Sequence, residues 1–403
     1  FIQTITTKGS MSDYSFDGTV LGQHATVSDP VSGDQTWEKV VSKNLGLDLN
    51  MFNNRLSLTT DFYIRDTKGI LGKGKSLPSI YGASEPQMNA NNLRTKGYEL
   101  VLGWRDSFKL AGSTFSYGIT GTFSDYTAEY TKCDNPTGLI GDPYVGKKYG
   151  EIWGYKVDGL FRNDKEAAEY ASRIDLSTVA SGYYTATGAY GKGVRGGDIK
   201  YLDLNGDNIV NGGKGTLDDP GDRRVIGNSS PRYQYGASLN FSWYGFDVSV
   251  FMQGIGRLDW YPGADNLRFW GPYCRPYATF VPKNFMSQVW SEENPDAYFP
   301  RARAYTSLNS NSGTAYYTND RYLQNLAYCR LKNLTIGYTI PRRLTSKVGI
   351  KECRIYFSGE NLATWSALKS DFLDPEQAAA DSDKKANVYP WCKTYSIGLN
   401  LTF

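Results

Sequence analysis

One pattern limits what this chain can fold into more than any other: apolar and small polar side chains take turns at every second residue. Neighbouring side chains on a β-strand point to opposite faces of a sheet, so such a segment reads as a strand with one greasy and one wet face. Leu45, Leu47, Leu49 and Met51 alternate with Asn44, Gly46, Asp48 and Asn50, and after Asn53-Asn54 the series resumes with Leu56, Leu58, Thr60, Phe62 and Ile64. That is a hairpin. A second runs through Tyr98, Leu100, Leu102 and Trp104, turns near Ala111-Gly112 and returns through Phe115, Tyr117, Ile119, Gly121 and Phe123. A third carries Tyr233, Tyr235, Ala237, Leu239, Phe241 and Trp243, turns at Tyr244-Gly245 and comes back through Phe246, Val248, Val250 and Met252. A fourth joins Leu334, Ile336, Tyr338 and Ile340 to Cys353, Ile355 and Phe357, and the last strand holds Tyr395, Ile397, Leu399, Leu401 and Phe403.

The connections sort into two kinds. Short turns near 53, 111, 245 and 342–351 alternate with long segments at 72–93, 132–230, 257–324 and 364–390, which places every long loop at one end of the sheet. An all-β chain of this kind is expected to be the C-terminal portion of a large antiparallel transmembrane β-barrel, with long extracellular loops, short periplasmic turns and about ten residues per crossing. Residues 37–403 are expected to supply about nine strands, the last running inward to leave Phe403 at the periplasmic side. Residues 1–36 fit an extracellular loop or an incomplete strand.

Composition supports a barrel over a soluble β-sandwich. The chain is polar yet aromatic, with 40% hydrophobic and 14% aromatic residues, and the polar partners in the strands are Ser, Thr, Asn, Gly and Gln rather than charges. Small uncharged groups suit a wet lumen, whereas the outer face of a sandwich is expected to be charged. No run of 18 apolar residues exists to form a membrane helix, which leaves a closed barrel as the spanning structure. The terminal Phe with apolar residues at alternate positions upstream resembles the signal that hands such barrels to their assembly machinery. The 44 basic residues are interleaved with 41 acidic ones, which gives no patch for nucleic acid.

Catalysis finds little to work with. The only histidine, His24, has no identifiable partner, and the adjacent Asp218 and Asp219 read as loop carboxylates rather than an acid/base pair, so no enzyme is expected. Cys133, Cys274, Cys329, Cys353 and Cys392 form no C-x-x-C pair and read as small apolar residues, with a disulfide as the alternative. The chain starts at Phe1 without a leader, so an upstream portion is expected.

Two loop segments carry candidate sites. Asp203, Asn205, Asp207, the carbonyl of Ile209 and Asn211 have the spacing of the first half of a calcium loop, with Asp222 among the residues that could complete the shell. Asn208 stands where Gly is usual and Lys214 where a closing Glu would be, so a metal-free turn rich in Asx residues is the alternative. Between residues 260 and 280 lie Trp260, Tyr261, Phe269, Trp270, Tyr273, Tyr277 and Phe280, with Asp265 and Arg268 among them. Trp260, Asp265, Arg268, Trp270 and Tyr273 are candidates for substrate contact through sugar rings. A partner interface and packing of the loop on itself are the other readings. The stretch 164–171 predicts a short solvated helix, and the polar 374–385 a mobile loop.

A string of motifs in order then resembles one family. Trp37-Glu38, Asn53-Asn54-Arg55-Leu56, Lys96-Gly97-Tyr98-Glu99, GEIWGYKVDGLF at 150–161, Gly197-Asp198-Ile199-Lys200-Tyr201 leading into DLNGD, Val225-Ile226-Gly227-Asn228, RLKNLTIGY at 330–338 and Gly359-Glu360-Asn361-Leu362 are similar to the SusC-like TonB-dependent transporters. The resemblance implies a 22-stranded barrel with an N-terminal plug, of which this chain shows only the later strands. It also implies a SusD-like surface lipoprotein as a lid, drive from TonB through the plug, outer-membrane lipid around the barrel, and import of an oligosaccharide, with oligopeptides as the alternative substrate. A receptor or adhesin without transport is the reading from another class.

Overall fold

The computed structural model describes residues 5–8, 24–27, 33, 35–73, 86–185, 193–274, 281–303, 315–370, 372–379 and 391–403. The chain divides into two compact units, one of 1–44, 63–96 and 127–148 and the other of 45–62, 97–126 and 149–403. Nine strands, here β1 (Lys39–Met51), β2 (Leu56–Lys73), β3 (Gln87–Leu110), β4 (Ser113–Lys132), β5 (Arg232–Trp243), β6 (Phe246–Arg257), β7 (Tyr328–Thr339), β8 (Glu352–Ser366) and β9 (Thr394–Thr402), form one sheet. Each strand lies beside its neighbours in sequence, so the sheet is an up-and-down antiparallel meander with β1 and β9 at its edges. Ile5–Lys8 and His24–Val27 form a separate pair, which puts His24 on a short strand.

The tight turns follow from two residues each. Ala111 and Gly112 have φ of 47° and 83°, and Tyr244 and Gly245 have φ of 48° and 84°. This is the left-handed pair whose twist matches that of the flanking strands. The two turns are tied together, since the Tyr244 hydroxyl donates to the Ala111 carbonyl and Trp243 Nε1 donates to Leu110 O at 3.3 Å.

The strands next to the first long connection run further than alternation indicates. β2 has 18 residues and β3 has 24 residues. Both are well past the roughly nine to eleven needed to cross a bilayer. Side chains hold this polar extension together. Asn89 Nδ2 donates to Gly69 O, Gly69 N donates to Asn92 Oδ1 at 3.0 Å, and Arg94 grips Asp66 through Nε at 2.7 Å and Nη2 at 3.0 Å. Part of the expected loop 72–93 is therefore strand, because Asn and Asp side chains here bond across the ladder instead of turning the chain.

Between β4 and β5, and between β6 and β7, the long segments build a small domain with its own dry core. Phe161, Ile199, Tyr201, Trp270, Tyr273, Phe299 and Tyr322 are all buried in it. Three short strand pairs frame the core: Glu151–Tyr155 with Arg223–Asn228, Val157–Leu160 with Ile199–Tyr201, and Asp259–Trp260 with Gln324–Asn325. The expected helix is present as Asp164–Ala171, with Asn163 accepting from Glu166 N at 2.9 Å, the bond of an N-cap. It is not wholly solvated, since Ala167 is buried in the core.

Candidate functional site

Register decides what each face of the sheet presents. Tyr117, Phe241, Val248, Ile336, Phe357 and Ile397 are direct partners across six strands, and so are Ile119, Leu239, Val250, Leu334, Gly359 and Tyr395. One residue along, the partners are Gly118, Asn240, Ser249, Thr335, Ser358 and Ser396. Directly paired residues share a face, so these rows are a continuous apolar surface and, opposite it, a continuous surface of hydroxyls and amides.

The apolar surface is bare of protein. On β9, Tyr395, Ile397, Leu399 and Leu401 are exposed by 63%, 82%, 56% and 42%. Covering side chains of this size is worth about 1.5–3 kcal/mol each, so leaving one strand's worth in water would cost on the order of 6–12 kcal/mol. That is comparable to the whole stability of a domain. Aromatic bands mark the limits of the surface. Phe62, Tyr98, Phe123 and Tyr233 follow one another across four strands with centroids 6.3, 5.9 and 6.4 Å apart, and Phe115 stacks on Phe241 at 6.4 Å. The bands lie eight residues apart on both β4 and β5, roughly 27 Å along the strand. A tilted strand turns that into a height close to the apolar belt of an outer-membrane barrel, about 25 Å.

Charges on the polar face come in pairs, which sequence reading did not anticipate. Arg354 meets Asp247 through Nε at 2.9 Å and Nη2 at 2.5 Å, and Arg55 meets Asp106 at 3.2 Å. A basin of about 920 Å³ lies along this face near the short turns, lined in part by Arg55, Arg105, Asp106, Asn240, Asp247 and Ser249. At the other end of β7, Arg330 is almost wholly buried. Its Nε donates to Thr364 Oγ1 at 2.9 Å, Nη1 to Glu376 Oε2 at 2.6 Å and Nη2 to Asp374 Oδ2 at 2.5 Å. Lys332 and the Gln253 amide also bond Glu376, at 2.8 and 3.1 Å. Strict alternation would put Arg330 with Leu334 and Ile336. Asn361 has φ of 52°, and the ladder breaks at Lys332 opposite it, so that Arg330 pairs with Gln253 and Thr364 on the polar face. An extra residue of this kind, a bulge, shifts the register of everything beyond it. Asp374 and Glu376 of the expected mobile loop are thus held by ion pairs, and 380–385 lie outside the described residues.

The aromatic candidates part company. Trp270 is fully buried with Nε1 donating to Gly263 O at 3.0 Å, and Tyr273 is buried with its hydroxyl on Pro300 O at 2.5 Å. Neither presents a face to a ligand. Phe269, Phe299 and Tyr322 close around them, the packing of the loop on itself that is one of its three readings. Trp260 is half-buried beside Gln324, Arg268 is half-buried and Asp265 is exposed, while Tyr277 and Phe280 lie outside the described residues. Burial raises the Tyr298 hydroxyl to about 12 and that of Tyr155 to about 12, as a dry core that penalises the phenolate requires.

The Asp/Asn segment forms a nest of side-chain turns. Asp203 accepts from Gly206 N at 2.7 Å and Asn208 N at 2.9 Å. Asn205 accepts from Asp207 N at 3.0 Å, and Asp207 from Ile209 N at 2.8 Å. These are Asx turns, in which a side-chain oxygen replaces the backbone carbonyl. Asn211 accepts from Gly213 N at 2.6 Å. Asp222 is completely buried and anchors the turn, accepting from Leu204 N, Asn205 N and Asn211 N. Asn205, Asp207 and Ile209 are exposed and Asp203 half-exposed, and among the described residues no three acidic, His or Cys side chains come together as a metal cluster. No disulfide joins the five cysteines, and no described helix is long and apolar enough to cross a membrane.

No family model matches the chain. Over 415 residues it is 25% identical to TonB-dependent receptor P3 of Formosa agariphila, covering 98% of this chain and 36% of that protein. It is 22% identical to TonB-dependent receptor SusC of Bacteroides thetaiotaomicron over 376 residues, covering 91% of this chain and 32% of that protein. A chain of the RagAB peptide transporter superposes with a TM-score of 0.65 at 21% identity, covering 100% of this chain and 38% of that one. The fold and its two-faced sheet define the class, the C-terminal strands of a large antiparallel transmembrane β-barrel. Within that class the chain is similar nearly throughout to TonB-dependent receptors, SusC among them, and spans about a third of their length.

Proposed function

We propose that this chain forms part of the wall of a TonB-dependent importer in the outer membrane, passing a nutrient too large for a porin. The observation that carries this reading is the row of Gly118, Asn240, Ser249, Thr335, Ser358 and Ser396 set back to back with an exposed apolar row. Lipid takes the apolar face, and a hydrated passage takes the polar one. The long loops then face the exterior and Phe403 the periplasm. An upstream part of the same barrel completes the wall, a plug answers to TonB, and a SusD-like lipoprotein covers the loops, as the likeness to SusC-type receptors supports.

The substrate is an oligosaccharide in this reading, with oligopeptides as the second class on the likeness to the RagAB peptide transporter. Trp270 and Tyr273 are buried, and the choice between the two classes rests on experiment. Cells lacking the protein are expected to lose growth on one defined class, oligosaccharides or oligopeptides, and to lose it equally without TonB. Normal growth on both classes, with purified protein binding neither, would leave a receptor or adhesin instead. Calcium at Asp203, Asn205, Asp207 and the Ile209 carbonyl is a separate proposal, in which the ion would cross-link the turn. Calorimetry is expected to show binding that disappears in Asp203→Asn/Asp207→Asn, and no heat in millimolar calcium removes the ion.

A further inference from the structure

The apolar face changes character at the long-loop end of β1, β2 and β3. On β3, Tyr98 belongs to an aromatic band, and the next residues of the same parity are Lys96 and Arg94; on β2, Phe62 is followed by Ile64, Asp66 and Lys68. β1 changes in the same way, from Leu47 and Leu45 to Lys43 and, past Val41, to Lys39. Side chains two apart on a strand share a face. Five cations and one carboxylate therefore occupy a face that, toward the short turns, carries Leu49, Met51, Leu56, Leu58, Leu102 and Trp104. Register draws two of the cations together. Arg94 pairs with Asp66 through Nε at 2.7 Å and Nη2 at 3.0 Å, and the Phe62 ring lies 6.3 Å from that of Tyr98, which sets Lys96 beside Ile64. The Thr59 hydroxyl donates to Asp48 Oδ1 at 2.6 Å, and counting outward from that pair sets Lys43 on the other side of Ile64. Lys43 and Lys96 are thus two strand spacings apart, about 10 Å. Lys43 and Lys68 also lie within electrostatic reach of Asp66. All five cations are exposed, and among the described residues no carboxylate makes an ion pair with Lys39, Lys43, Lys68 or Lys96. On β4, Asp125 is held by Arg232, and Glu129 lies opposite Lys148.

We propose that this patch binds the anionic phosphate of a lipid in the leaflet on the long-loop side, with Lys43 and Lys96 holding the phosphate oxygens and Lys39, Lys68 and Arg94 supplying the surrounding positive field. This rests on the reading of the apolar face as lipid-facing. A face that is greasy up to the aromatics and cationic beyond them follows the depth order of a leaflet, from hydrocarbon through interface to headgroup. The ammonium of lysine is a compact charge with three donors on a flexible stem, suited to a headgroup that moves. Asp66 does not oppose the ligand, because Arg94 already balances it. A phosphate-bearing lipid uses both halves of the surface, its chains on the exposed Leu45, Leu47 and Phe62 and its phosphate on the lysines. Free phosphate would use only the cations, and a neutral lipid only the apolar rows.

The test uses the full-length protein that carries this chain, in a neutral maltoside detergent, with native mass spectrometry counting bound lipid. The probes are lipid A, lipid A stripped of its phosphates, and inorganic phosphate. Lipid A is expected to bind at least tenfold more tightly than its stripped form. Lys43→Gln/Lys96→Gln is expected to bring the two lipids to the same level, while Lys43→Arg/Lys96→Arg keeps the preference. Equal binding of the two lipids by the unmodified protein, or an undiminished preference in the Gln variant, overturns the site. Inorganic phosphate is expected to displace lipid A only weakly; displacement as effective as that by lipid A itself overturns the lipid as ligand. The reading beneath the proposal fails separately. A protein that needs detergent and binds both lipids alike loses the phosphate site and keeps its lipid-facing wall, whereas one that stays in solution without detergent and binds neither loses both.

Discussion

The sheet and the loop domain use the same aromatic-rich alphabet in opposite senses. In the sheet Ile397 and Leu399 are mostly exposed, and the polar groups line the other side. In the loop domain Trp270, Tyr201 and Tyr322 point inward, and the polar groups are outside or, like Asp222 and Asp198, buried with partners. The lesson is that hydrophobicity names no direction by itself; the medium on each side of an element does. On the reading of the sheet as a barrel wall, lipid on one face replaces the core that a soluble sheet would need, whereas the loop domain makes its own.

The largest break in that comparison is expected at Trp270. Trp270 is the largest fully buried side chain among the described residues, so Trp270→Ala should destabilise the loop domain by about 3–5 kcal/mol, with the sheet unaffected. Limited proteolysis would check this, with new cuts within 258–327 and none in the strands. Next comes a test of sidedness at neighbouring positions. Val250 lies on the apolar face between the aromatic bands, its partner Leu239 two residues from Phe241 and six from Tyr233, so Val250→Arg should cost up to about 2–4 kcal/mol in lipid vesicles. Ser249→Arg, one residue away on the polar face, should cost much less. Equal costs in denaturant titrations would mean that the two faces see the same medium.

A finer test is pH. Asp198 is pushed up to about 6 by burial, which outweighs the Arg303 guanidinium 2.6 Å away. Its folded value exceeds the ordinary carboxylate value of 3.8, so its contribution is fully present below about pH 4 and is lost as pH rises through about 6. Loop-domain stability should therefore decline between about pH 4 and 6, by hydrogen exchange, and Asp198→Asn should flatten that slope. The strands should show no matching change.

Much of the sheet was legible because a strand repeats every two residues and a turn needs special residues. Ala111-Gly112 and Tyr244-Gly245 stand where the chain turns, and Leu239 and Ile336 lie on the face their parity requires. The candidate site was much less legible. Trp270 and Tyr273 look the same in sequence whether they greet a ligand or fill a core, since nothing in residues 260–280 says which loop will close over them. Arg330 was visible inside RLKNLTIGY, but its face depends on the bulge at Lys332. That bulge is a property of three strands together. A clue lay in Arg330 and Lys332 falling at positions where strict alternation would place bare cations in lipid.

The amino-acid order alone placed most of the strands, their tight turns and the two faces of the sheet, because alternation is local and each residue pair reports its own faces. Tertiary structure alone decided which aromatics are buried, where Asp374 and Glu376 are held, and that Asp222 anchors a turn. Those outcomes depend on residues far apart in the chain meeting, and a distant contact leaves no mark in the spacing of its neighbours.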